Sequence, residues 1–277
     1  MPEDAVVIDV DAASEAEDAA PEPEDAAPEA EDAAVEVDAA MLIDGCPDSM
    51  VRVPAGPFPF GRMDDVVDLP AFCIDRTEVT ASAFLACAAE GACDGYDNWP
   101  ACAEIGDRTP NQCNPDRLEH PANWIDWFRA EQFCRWRGGH LPTLAEWEKA
   151  ARGPDGWRYP TGERIACGWA HFARVEPFVD CLDAGGLPNE TVPVLAYPDA
   201  PSAYGALNLA GNVKEWVDFR EDREMPPEGR YGVSKGASYR DGFDQMAAFV
   251  DNTQLGPDRT SSGHGFRCAL QLDVGDD

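Results

Sequence analysis

The sequence predicts an α+β domain with low regular secondary structure, stapled by disulfides and preceded by a disordered acidic segment. Three observations predict this. The chain of 277 residues holds ten cysteines, an even number with no C-x-x-C pair, spread through a Gly- and Pro-rich sequence. Strand-like apolar runs are short and bounded by turn residues, and three segments carry helix start and stop signals. The composition also breaks near residue 45.

Residues 1–45 are dominated by Ala, Asp, Glu, Pro and Val, with no Lys, Arg, Trp or Phe. Such a segment cannot bury enough apolar surface to offset its chain entropy, so it is expected to be a disordered acidic linker. Residues 17–37 repeat with a period of about seven, yet the positions that a heptad needs large and apolar carry Ala, Pro or acid. Residues 46–272 hold every Cys, Trp and Phe and are long enough for one sizeable core.

Within that domain the elements follow in order. Met50, Val51 and Val53 form a strand that Pro54 and Gly56 end, and Phe72, Cys73 and Ile74 form a second. Thr80 caps a helix containing Phe84, Leu85 and Ala88, with Gly91 as its stop. Residues 93–119, rich in Pro, Asn, Asp and Cys, predict a long pinned loop. Asp126 caps a helix through Arg135 that turns Ala130, Phe133 and Cys134 inward and ends at Gly138-Gly139. Thr143-Leu-Ala-Glu146 is a capping box, in which the hydroxyl and the carboxylate each satisfy an orphan backbone N–H. That helix runs from Trp147 to Arg152 and stops at Gly153-Pro154. Val192–Val194, Tyr231–Tyr239 and Gly265–Leu270 are expected strands.

Charge excludes some functions. The net charge is −32, about half of it in the first 45 residues, and no basic patch is present, which excludes a nucleic-acid binder. No apolar run is long enough for a transmembrane segment. The cysteines point to an oxidising, extracytoplasmic setting: periplasmic, secreted or on a bacterial cell surface. Residues 1–5 do not resemble a signal peptide, so an export signal or a lipid anchor is expected upstream of the numbered chain.

Eight pieces then appear in one order. They are Val51-Arg-Val-Pro-Ala-Gly56, Asp75-Arg-Thr-Glu-Val-Thr80, His120-Pro-Ala-Asn-Trp-Ile-Asp126 and the stretch from Leu141 to Gly153. After these come Tyr159-Pro-Thr-Gly162, Asn208-Leu-Ala-Gly-Asn-Val-Lys-Glu-Trp216, Lys235-Gly-Ala-Ser-Tyr239 and Gly265-Phe-Arg-Cys268. Together they resemble the formylglycine-generating enzyme, or sulfatase-modifying factor, family across almost all of residues 46–270. The resemblance implies a C-type-lectin-like fold.

It also implies an altered site. The family's enzymes bind copper through two cysteines shortly after a Gly-Gly-Ser motif, and thiolate pairs suit Cu(I). Here the motif reads Gly236-Ala237-Ser238, and Asp241 and Met246 stand where the thiols belong. Lys214 replaces a tryptophan that lies near the family's oxygen site. Copper is therefore not expected. The calcium ligands match one by one: side-chain oxygens of Asn208 and Glu215, and the carbonyls of Gly211 and Val213. The resemblance pairs Cys134 with Cys268. Proximity suggests Cys46–Cys73, Cys87–Cys93, Cys102–Cys113 and Cys167–Cys181.

Other constellations are bland. His120, His140, His171 and His264 are dispersed, and the tryptophans of the helices suit core packing better than a sugar platform. Glu146 and Glu148 share a helix, but Glu146 is already a cap. The expected function is a non-catalytic binding or structural protein whose groove takes a peptide, glycan or protein ligand. The alternatives are an oxidase converting a protein cysteine to formylglycine, and another metal-dependent enzyme using Asp241.

Overall fold

A computed structural model describes residues 42–43, 45–94, 110–166, 168–173, 190–218, 232–252 and 255–272. All of them lie in one compact unit, Val35–Asp277. Its strands are β1 (Leu42–Ile43), β2 (Cys46–Pro47), β3 (Met50–Val53), β4 (Gly56–Phe60), β5 (Asp65–Leu69), β6 (Phe72–Asp75), β7 (Lys214–Trp216), β8 (Ser234–Lys235), β9 (His264–Phe266) and β10 (Ala269–Gln271). Its helices are α1 (Ala81–Ala89), α2 (Trp127–Trp136) and α3 (Leu144–Arg152).

The helices start where their caps dictate. Thr80 Oγ1 accepts the Ala83 N–H, Asp126 Oδ1 accepts the Arg129 N–H, and both halves of the Thr143–Glu146 box form. β6 is the centre of one sheet, antiparallel to β3 on one side and β10 on the other. A second sheet has β7 at its centre, antiparallel to β8 and parallel to β9. β4 and β5 form a separate hairpin, and β1 pairs with β2. The core gathers Phe72 and Ile74 from β6, Phe84, Phe133 and Trp147 from the three helices, and Trp216 and Phe266 from β7 and β9. Phe133 meets Phe266 edge-on at 5.4 Å and stacks on Phe84 at 6.1 Å. Burying each such side chain contributes about 1.5–3 kcal/mol.

Disulfides join Cys46 to Cys73, Cys87 to Cys93 and Cys134 to Cys268. Cys113 is disulfide-bonded, while Cys102, Cys167 and Cys181 lie outside the described residues. No described cysteine is free.

Three expected strands differ. Val192–Val194 pairs with no strand: Asn212 Oδ1 accepts the Val192 N–H, and Asn208 Nδ2 donates to the Val194 carbonyl, so two side chains replace a neighbouring strand. Of Tyr231–Tyr239 just Ser234–Lys235 is strand, because Gly236 and Ala237 turn the chain at φ 89° and 60°. Tyr231 lies outside the described residues. Gly265–Leu270 divides into β9 and β10, which join different sheets on either side of Arg267-Cys268. The β4–β5 hairpin and β7 are further strands that the sequence reading did not contain.

Candidate functional site

Lys214, Ser238 and Asp241 meet in the structure. Lys214 Nζ lies 2.9 Å from Asp241 Oδ1. The other carboxylate oxygen, Oδ2, accepts the Ser238 N–H at 2.9 Å and the Ser238 hydroxyl at 2.5 Å. Asp241 thus closes a turn over residues 238–241 and neutralises Lys214. Met246 is not part of this polar set. It is wholly buried in an apolar cluster with Tyr159, Ala170, Phe172, Ala210, Ala237 and Ala247. A short 3-10 turn, Phe243–Gln245, separates it from Asp241.

His264 borders this set. The parallel register of β7 and β9 pairs it with Lys214. Its ring is tilted against Trp216 at 5.0 Å, Nε2 lies 3.4 Å from Ser234 Oγ, and Nδ1 has no hydrogen-bond partner among the described residues. Burial, with the Lys214 ammonium adding to it and Asp241 opposing, pushes its pKa down to about 3. The imidazole is therefore neutral at pH 7.

Beneath lies a buried ionic core. Arg267 is fully buried and donates from Nε to Glu215 Oε2 at 2.6 Å and from Nη2 to Glu215 Oε1 at 2.7 Å. It also donates to the carbonyls of Asp75 and Leu207. Trp147 Nε1 adds a 2.7 Å bond to Glu215 Oε2. Burial alone would lower the Arg267 pKa, but Glu215, Glu78 and Asp75 outweigh it and the net direction is up. Burial raises the Glu78 carboxyl to about 7, with Arg267 opposing and Glu215 reinforcing. Asp75, which accepts from Arg137 and the Cys268 N–H, is also raised by burial.

The four residues assigned to calcium sit on this core. Asn208 Nδ2 is committed to Glu78 and the Val194 carbonyl, which leaves Oδ1 as the side-chain atom it could offer a ligand. Gly211 adopts φ +87°, and a Cβ there would come within 2.3 Å of the His171 carbonyl oxygen, so the position demands glycine. Val213 is buried. Glu215 Oε2 accepts two bonds and Oε1 one, leaving one lone pair on Oε1. One amide oxygen, two carbonyls and one carboxylate oxygen are the hard donor types that calcium takes. Among the described residues no group of three His, Cys, Asp or Glu could hold a metal ion.

The remaining candidates are structural. Trp127 and Trp147 are buried, and Glu148 pairs with Arg152 and Lys235 inside the core. His120 Nδ1 bonds Thr191 Oγ1, and His140 bonds Glu146. The sequence reading missed the Glu215–Arg267 pair and the proximity of Glu78, Asn208 and Asn212. Gly265-Phe-Arg-Cys268 held the relevant signal, an arginine inside an otherwise apolar run.

Comparison with known proteins follows this geometry. Residues 43–272 match the model of the Sulfatase-modifying factor enzyme 1-like domain. The formylglycine-generating enzyme of Thermomonospora curvata is 34% identical over 181 residues, covering 58% of this chain and 58% of that protein. Serine/threonine-protein kinase Pkn1 of Chlamydia trachomatis is 33% identical over 172 residues, covering 57% of this chain and 25% of that protein. The chain therefore spans less than two thirds of either relative. PvdO from Pseudomonas aeruginosa superimposes with a TM-score of 0.59 at 21% identity, covering 83% of this chain and 96% of that one. This likeness shows the fold, α+β with little regular structure. With most of its length matched, the chain belongs to the family of Sulfatase-modifying factor enzyme 1-like domains.

Proposed function

We propose that this domain is a non-catalytic binding or structural module outside the cytoplasm, with a groove that takes a peptide, glycan or protein ligand. One observation carries the reading. The positions that would need two converging thiolates hold a carboxylate locked to Lys214 and Ser238, and a thioether buried among apolar side chains. A hard oxygen and a weakly donating sulfur do not make a Cu(I) site. The alternative, oxidation of a protein cysteine, gains support only from relatives that carry the formylglycine-generating enzyme name. Three disulfides favour an oxidising compartment.

The test is direct. The protein, supplied with copper, oxygen and a reductant, is expected to leave the cysteine of a Cys-x-Pro-x-Arg peptide unchanged by mass spectrometry. Stoichiometric aldehyde would overturn the reading.

Calcium is the second part of the proposal. Asn208, Gly211, Val213 and Glu215 would hold it, and it would offset excess carboxylate charge around Arg267. A site with Kd near 1 mM would stabilise the fold by about 1.4 kcal/mol at about 10 mM calcium. The melting temperature is expected to be higher in calcium than in chelator, and Asn208→Gly, which tolerates the positive φ, should abolish that difference. Equal melting temperatures for the unaltered protein under both conditions would remove the site.

A further inference from the structure

We propose that Arg62, which lines a cleft, and Arg158, which lies against the same Phe249 ring outside that lining, form a binding site for a small oxyanion-bearing ligand. The site is separate from Lys214 and Asp241 and does not rest on the reading of that site.

The surroundings explain why these two arginines are available. Arg152 lies beside them and also stacks on Phe249, at 5.5 Å, but every donor on its guanidinium is used. It donates to Glu148, Asp64 and the carbonyls of Pro59, Gly61, Gly156 and Trp157. Lys235 is likewise taken up by Glu148 and Asp251. Arg62 and Arg158 are exposed, and their guanidiniums make no ion pair or hydrogen bond among the described residues. Aromatic rings order them: Arg62 sits 5.2 Å from the Phe249 centroid, and Arg158 lies 5.6 Å from Tyr159 and 5.9 Å from Phe249. In a chain of net charge −32, two cations on one ring with no ion pair among the described residues are out of character for the surface.

Both backbones are fixed where the ring needs them. Gly61, at the tip of the β4–β5 hairpin, donates its N–H to Glu148 Oε1 at 2.6 Å and gives its carbonyl to Arg152. That clamps the residue before Arg62. The Arg158 carbonyl accepts the Ala248 N–H at 2.9 Å, tying it to the residue before Phe249. The Glu148–Arg152 pair thus holds the backbone before Arg62, a backbone bond holds Arg158, and aromatic contacts restrict both side chains before a ligand arrives.

The cleft beside Arg62 has a volume of about 470 Å³ and is lined by Phe60, Arg62, Leu144, Glu148, Phe249 and Asp251. Its carboxylates, Glu148 and Asp251, are paired with Lys235, so the charged donor in this lining is the Arg62 guanidinium, with Arg158 reaching the Phe249 ring from outside it. Guanidinium forks match carboxylate, sulfate and phosphate oxygens in bidentate geometry. Phe60, Leu144 and Phe249 would receive the apolar side of the body that carries the oxyanion. The acidic remainder of the protein repels anions at long range, so binding here must come from short-range contact and remain measurable at physiological salt.

Titration calorimetry of the full chain at about 0.15 M salt, with glucuronate, glucose 6-sulfate and glucose 6-phosphate as separate probes, tests this. Saturable one-site binding of at least one probe is expected, and which probe binds identifies the oxyanion. Arg62→Gln and Arg158→Gln should each weaken it by at least about tenfold. Phe249→Leu should weaken it while leaving both charges in place. Arg259→Gln, at an exposed arginine outside the cleft lining, should leave it unchanged. Absence of saturable binding of every probe below about 10 mM, or equal binding by the Arg62→Gln/Arg158→Gln double variant, would overturn the proposal.

Discussion

Replacing Arg267 with methionine is expected to cost the folded state about 3–5 kcal/mol, the range for removing one member of a buried ion pair. The variant leaves Glu215 buried with Trp147 Nε1 as its one remaining side-chain donor, and leaves Glu78 without its opposing charge. It also strips donors from the carbonyls of Asp75 and Leu207. Urea unfolding monitored by tryptophan fluorescence measures the change. Where the single variant is too unstable to purify, Arg267→Met combined with Glu215→Gln removes the stranded charge and should recover part of the loss. A single variant within about 1 kcal/mol of the parent would mean that Glu215 finds another cation or a proton.

Acid should weaken the fold through His264. Its unfolded pKa is that of an ordinary imidazole and its folded pKa is about 3, so the folded state favours the neutral ring. The sign follows. Above pH 6.5 both states are neutral and the contribution is fully present. As pH falls below 6.5 the unfolded chain takes up a proton that the folded chain refuses until about 3, and stability drops by about 1.4 kcal/mol per unit, reaching about 4–5 kcal/mol. Glu78 works in the opposite sense, because its carboxyl gains a proton on folding between 4.5 and about 7. Comparing the parent with His264→Gln in urea at pH 7, 5.5 and 4 isolates the histidine. The variant should show a flatter decline, and identical declines would show that His264 is solvated.

The contrast between local and distant pairing explains what the sequence revealed. Thr80, Asp126 and the Thr143–Glu146 box act within three residues, so all three caps were legible to the residue, although the third helix begins at Leu144 rather than at the expected Trp147. The β7–β9 pair joins residues fifty apart in parallel, and neither strand is long enough for a periodic pattern. The altered site was legible by its replaced residues, Asp241, Met246 and Lys214. Its geometry was not: nothing in residue spacing says that Asp241 bridges Lys214 and Ser238 while Met246 turns inward. Glu215 stood out as a ligand candidate because of its neighbours in sequence, whereas its partner Arg267 is brought to it by the fold.

The placement of the last strands has a consequence for how the molecule comes into being. β10 flanks β6, β9 flanks β7, Cys268 bonds Cys134, and Arg267 sits between them. Residues 264–271 therefore complete two sheets, a cross-link and the ionic core at once. A chain emerging from its amino end has β3 and β6 early, but their sheet lacks its third strand until the final tenth of the sequence arrives. Pairings this far apart carry a high loop-closure cost before any contact rewards them, and they slow folding. The two sheets and the ionic core therefore stay incomplete through most of synthesis: Cys46–Cys73 and Cys87–Cys93 can close early, but Cys134 meets Cys268 only when nearly the whole length has been delivered.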